Sequence, residues 1–210
     1  DFFRYNSDMV NLTDSASNIV KCVDKLVGVL QPTLNLNWQL KTPDLDWTQA
    51  QTAIHTMRAC LEYSNQVVGK RKDTYHPILI DQKDKAIPAD YLPMIKTAGD
   101  MLSRLVITAD KNDRAWHSSG ESDPEGFAAM GVVEVSVHTY DLALGFGIEF
   151  TPLNEPSEFA IRRLFLDTVE LPSQYFSNYS WGKLLLWYAG RISLGSVSRR
   201  TGWKWNGQVR

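Results

Sequence analysis

The segment Gly126–Leu144 holds the residues with the greatest chemical potential. It reads GFAAMGVVEVSVHTYDLAL, and Glu134, His138 and Asp141 stand at i, i+4 and i+7 within it. On a helix this spacing places them along one narrow stripe with Phe127 and Met130. Apolar or small residues occupy nearly every other side, which is the signature of a buried helix. A lone buried carboxylate is costly, so Glu134 needs an arginine, a proton shared with His138, or a cation. Glu-x-x-x-His brings one oxygen and one nitrogen within reach of a single ion. Zinc accepts such donors at about 2.0–2.2 Å, and its catalytic sites use three protein ligands plus a water. Asp141, one turn further on, is placed to accept a hydrogen bond from an imidazole and orient it. The metal-free alternative is a plain Glu134–His138 ion pair.

A third ligand must come from elsewhere in the chain, and the candidates are His55, His76, His117, Cys22 and Cys60. His76 and His117 fall in loops. His55 falls on a helix whose apolar stripe is Ile54, Met57 and Leu61, but on the other side, with Thr48, Gln51, Thr52, Arg58 and Glu62. That position reads as solvated, unless the polar side lines an internal cavity. Neither cysteine has a motif around it, so both read as small buried hydrophobes. Two isolated thiols give no disulfide framework and fit a reducing cytoplasm. No phosphate-binding glycine loop, HExxH, EF-hand loop or GxSxG occurs.

The elements that must position these residues are helices. Val10, Ile19, Val20, Val23, Leu26, Val27 and Leu30 set a first helix over 8–30, which Gln31-Pro32 stops. A polar loop follows. Asp46, with Gln49 three residues on, reads as the cap of a second helix ending near Gly69. Residues 73–90 are irregular, with breaks at His76-Pro77 and Ile87-Pro88. A third helix fits 91–110, and a polar loop over 111–122 contains Ala115, Trp116 and His117. Asp123 as cap and Pro124 at the first position open the fourth helix, and Gly145 and Gly147 close it. Two further helices fit 156–169 and 178–194, with Trp181, Trp187 and Tyr188 as core. Trp203-Lys204-Trp205 forms a short aromatic tail. Strand patterns are nearly absent. The expected fold is all-α: a four-helix bundle over 1–150, with additional C-terminal helices over 151–210 packed on it.

The chain has 210 residues, 43% hydrophobic and 22% charged, which are globular proportions and exclude a disordered or fibrous chain. No apolar run of about 18 residues is present to cross a membrane, and Asp1-Phe2-Phe3-Arg4 carries no signal-peptide pattern. Net charge is −2, which argues against a nucleic-acid partner. The distribution is uneven. No acid follows Glu170, so the last 40 residues carry +6, while the first 170 carry 16 cations against 24 acids. The basic tail either docks on the acidic body or presents an arginine to an anionic ligand.

Trp116-His117, the block from Asp123 to Ala143, the start Asp44-Leu45-Asp46-Trp47-Thr48 leading to Ala53-Ile54-His55, and the segment from Trp181 to Arg191 resemble the mycothiol-dependent maleylpyruvate isomerase family of the DinB-like four-helix superfamily. The resemblance spans about residues 40–205 and is strongest in the Glu-x-x-x-His block. It implies His55, Glu134 and His138 as the ligands of a divalent ion, usually zinc, with mycothiol or a similar thiol as cosubstrate. Beside these ligands, Asp141 is assigned next to the ligating histidine, His117 as a proton donor at the cavity mouth, and Arg191 as the anchor of an anionic substrate. The stretch before Trp47 lacks the family's Cys-Pro-Gly, and the part after residue 150 is short. A related thiol transfer or addition to a small electrophile is therefore implied as much as isomerisation. A homodimer is compatible with all of this.

Overall fold

Asn11 opens the first helix, α1 (Leu12–Leu30), with its side chain accepting from the Thr13 amide at 3.0 Å. Ile19, Val23, Leu26 and Leu30 are its buried stripe. The computed structural model describes residues 11–83, 86–166 and 171–209, so the expected start at 8–10 lies outside the described residues. Pro32 ends α1 in a 3-10 turn, Gln31–Thr33. The loop expected to be merely polar buries Trp38, whose indole N–H donates to the Thr33 carbonyl at 2.9 Å.

The second helix, α2 (Gln49–Gly69), is capped by Thr48 rather than Asp46. Thr48 Oγ1 accepts from the Gln51 amide at 3.2 Å, and Gln51 Oε1 accepts from the Thr48 amide at 2.8 Å. Asp46 instead pairs with Lys41 in the preceding loop. Two capping patterns overlap in this stretch, and the one that satisfies two amides reciprocally prevails. The third helix, α3 (Pro88–Thr108), begins three residues earlier than expected. Pro88 starts the helix instead of breaking it, because the first helical position needs no N–H, and Asp90 accepts from the Ile87 amide at 2.9 Å.

The fourth helix, α4 (Pro124–Gly145), has the expected bounds, and the Asp123 carboxylate accepts from the Gly126 amide at 2.7 Å. Nearly all of α4 is buried, in keeping with its apolar circumference. Gly131 permits the close approach of α3, since a Cβ there would stand 2.7 Å from Leu102 Cδ2. The two C-terminal helices expected after residue 150 are three shorter ones: α5 (Asn154–Leu164), α6 (Ser173–Asn178) and α7 (Trp181–Tyr188). Ser180 caps α7, and Gly190 at φ 66° turns the chain away soon after it. The expected end of the first of the two, 167–169, lies outside the described residues.

The protein is all-α, with seven α-helices and no strand among the described residues. The four long helices pack as a bundle: α1 lies against α3 and α4, and α2 against the same pair. α5 covers α4 and carries α7. No helix among the described residues is long and apolar enough to cross a membrane.

A buried charge cluster fastens the C-terminal segment to this bundle. Arg163 of α5 is 1% exposed. Its guanidinium donates to Asp123 at 2.9 Å, to the Gln208 carbonyl at 3.2 Å and to the Gly207 carbonyl at 3.4 Å. Glu125 stands 3.5 Å from Arg163 Nε, and Glu125 Oε2 makes no hydrogen bond. Burial pushes the Glu125 carboxyl up to about 7, with Arg163 opposing only in part. The folded protein therefore holds this proton more tightly than the unfolded chain. The resulting stability is present below about pH 4.5 and is lost as pH rises through 7. Relative to Glu125→Gln, the wild type should lose on the order of 2 kcal/mol between pH 5 and pH 8. Urea unfolding of both proteins at the two pH values tests this, and parallel losses would refute it.

Candidate metal centre

The stripe on α4 meets α2 where the two helices pack, and His55 closes on it from across the interface. His55 Nε2 lies 3.2 Å from Glu134 Oε2, and His138 Nε2 lies 3.3 Å from the same oxygen. One ligand atom from each of the three lies within 4.8 Å of the other two. The imidazoles stand edge to face, centroids 5.0 Å apart at 86°. An ion bound tetrahedrally at about 2.1 Å sets its donors about 3.4 Å apart, close to both contacts with Glu134. Two nitrogens and one carboxylate oxygen converging from two rigid helices thus fit a divalent ion. The donor set suits zinc and also serves iron(II). His55 lies on the polar side of α2 as its wheel position requires, but that side lines a cavity.

Asp141 holds His138 from behind, its Oδ2 lying 2.9 Å from Nδ1. An ion at Nε2 requires the ring proton on Nδ1, where the Asp141 carboxylate is placed to accept it. Arg191 in turn grips Asp141 with two bonds of 2.9 Å, from Nε and Nη2. Burial works against charge on all three titratable groups of this stack, and hydrogen bonding overcomes it. Asp141 and Glu134 raise His138 to about 9. His138 and His55 hold Glu134 well below the usual carboxylate range. His138 and Arg191 lower Asp141. Asp141→Asn removes the charge that orients the imidazole while keeping the side chain's shape. It should weaken zinc binding about 10- to 100-fold, as partners of ligating histidines do. Competition with a chromophoric chelator measures this, and an unchanged affinity would exclude the orienting role.

A cavity of about 220 Å³ opens beside the triad. Besides the three ligand residues and Arg191, its wall is Leu45, Trp47, Val133, Val137, Trp203 and Trp205. Trp47 lies on His55 with ring centroids 4.6 Å apart. Arg199 pairs with Asp44 at 2.6 Å, joining the C-terminal segment to the loop that carries Leu45 and Trp47. The basic tail thus docks on acidic residues through Arg191 and Arg199.

Two sequence expectations change here. Arg191 engages Asp141 instead of standing open to an anionic substrate. His117 does not line the cavity. It is buried among Tyr63, Tyr75, Phe127 and Trp205, and its Nδ1 accepts from the Ser119 amide at 3.0 Å. Burial lowers it to about 4, so it is neutral near pH 7 and is no acid at the cavity mouth. His76 packs against the end of α2 at Gly69, outside the triad. Cys22 and Cys60 are free and buried, and burial pushes both thiols up to about 12.

Several residues of the site carry only weak signals in the sequence. Tyr63 donates its hydroxyl to Glu134 Oε1 at 3.4 Å. Its signal was a polar-tipped aromatic two turns along α2 from His55. Trp203 and Trp205 read as a short aromatic tail, yet their spacing of two puts both indoles on one side of an extended segment, and their rings lie 5.6 Å apart. Among the described residues, then, His55, Glu134 and His138 form a possible His/Glu/His metal-binding triad at the foot of a tryptophan-walled cavity. No family model, curated protein or solved structure matches the chain.

Proposed function

We propose that this chain is a divalent-metal protein of the DinB-like type, which activates a small thiol such as mycothiol for attack on an electrophile. The observation that carries the reading is the convergence of His55, Glu134 and His138 beside an apolar cavity. When bound, a divalent ion supplies the acidity that turns a coordinated thiol into a thiolate near neutral pH. The chain's own residues do the rest. Asp141 and Arg191 fix the ring of His138, Tyr63 steadies Glu134, and the tryptophans exclude water from the reacting groups. The free, buried cysteines agree with a cytoplasmic location.

One observation favours a metal-free reading. Glu134 Oε2 already contacts both imidazoles, and His138 lies between two carboxylates as a hydrogen-bonded cation would. Elemental analysis separates the two. The metal reading expects about one ion per chain, and that measurement also names the ion. None after zinc addition would sustain the ion-pair reading. Incubation of the loaded protein with mycothiol and a panel of electrophiles, followed by mass spectrometry, then separates enzyme from binder. Metal without any thiol adduct would reject the transferase.

A further inference from the structure

Three indoles line the cavity together with Leu45, Val133 and Val137. Flat aromatic walls favour a flat apolar guest, which stacks offset or edge-on against them. Among the described lining residues, Arg191 is the only arginine or lysine. Its charge is matched by Asp141 through two bonds of 2.9 Å, and its remaining terminal nitrogen donates to the Ala189 carbonyl at 2.8 Å. Trp203 also lies near the guanidinium, its ring centroid 6.0 Å away. With neutral imidazoles, a divalent ion and Glu134 leave one positive charge, and the Asp141–Arg191 pair adds none. A single anionic donor atom therefore completes the balance. A second negative charge would enter a wall of indoles and aliphatic side chains with no free cation to meet it, which is costly.

We infer that the cavity receives an uncharged aromatic body, about one ring in size, so that the electrophile of the proposed reaction is a neutral aryl compound and not a carboxylate. This rests on the metal reading and narrows it. The organic partner is chosen by Trp47, Trp203 and Trp205, while the ion holds one donor atom.

The test compares three thiols that share a donor atom: benzyl mercaptan, 4-(mercaptomethyl)benzoate and 2-mercaptoethanol. Each is titrated calorimetrically into zinc-loaded protein. Burying the ring should make benzyl mercaptan bind about 10- to 100-fold tighter than mercaptoethanol. The added carboxylate should cost about 10-fold or more. Trp203→Leu should narrow the benzyl preference while zinc content stays unchanged. Equal affinity for the carboxylate-bearing thiol, or no preference for the ring, would overturn the inference. Failure of the metal reading shows separately, as absence of bound zinc. The same wall is then judged on metal-free protein with benzyl alcohol and 4-(hydroxymethyl)benzoate, read by tryptophan fluorescence. A clear preference for the neutral ring sustains the inference, and no preference overturns it.

Discussion

Glu134→Gln should abolish retention of a divalent ion, reducing bound zinc from about one per chain to none. The substitution keeps the size of the side chain and a hydrogen-bonding oxygen but removes the charge that two histidines share. Neutral imidazoles alone leave the ion with no anionic ligand, so the loss should exceed the roughly 10- to 100-fold expected for a partner that only orients a ligand. Thermal unfolding gives an independent reading. An ion present at about 100 times its dissociation constant stabilises the folded state by about 2.7 kcal/mol. The wild type should show such a zinc-dependent gain, and Glu134→Gln should not. In the metal-free reading neither protein responds to zinc, and Glu134→Gln instead costs about 3–5 kcal/mol, as breaking one side of a buried ion pair does. A zinc response of equal size in both proteins would reject Glu134 as a ligand.

The second large effect lies away from the metal centre. Arg163→Leu should destabilise the fold by about 3–5 kcal/mol, because it leaves the Asp123 carboxylate buried without its counter-charge. That is a large share of the roughly 5–15 kcal/mol available to a domain. The same guanidinium holds the carbonyls of Gly207 and Gln208. Neighbouring backbone bonds, from Asn206 to Leu164 at 2.8 Å and from Gly207 to Ser119 at 2.9 Å, complete the fastening. Loss of Arg163 should therefore loosen Trp203 and Trp205 from the cavity wall, visible as a red-shifted tryptophan emission before global unfolding. At pH 8 adding Glu125→Gln should recover part of the stability, since the buried carboxyl must then take up a proton or carry an uncompensated charge, whereas at pH 5, where Glu125 is protonated, it should recover little. Urea unfolding of the single and double variants tests this, and a cost below about 1 kcal/mol would show that the cluster is not held by charge.

Much of the bundle was legible because helices announce themselves locally. Asp123, Pro124 and Gly145 mark both ends of α4, and its apolar circumference announces its burial. The start of α2 was misplaced because Asp46 with Gln49 and Thr48 with Gln51 both spell a cap, and only backbone geometry chooses between them. Ile87-Pro88 reads as a break, yet proline opens a helix when it stands at the first position, as Pro88 does in α3. After residue 150, local patterns gave two helices where the described residues form three: the short α6 carries no strong apolar period, and the cap at Ser180 and Gly190 confine α7 to part of the expected 178–194.

The order of residues alone determined that α4 is a buried helix presenting Glu134, His138 and Asp141 along one stripe, because the helical period fixes the relative directions of neighbours on one element. Spacing and wheel position left open which distant groups join them; the resemblance implied His55, and the packing brings it and Arg191 to the stripe. His55 reaches Glu134 across 79 residues, and Arg191 reaches Asp141 across 50. Both contacts depend on how α2 and the C-terminal segment pack against α4. Wheel position made His55 a solvent-facing residue, and only the packing turned its polar side toward a cavity. Likewise Trp203 and Trp205 became a wall because Arg163 and Arg199 tie an irregular segment down, a result that no periodicity encodes.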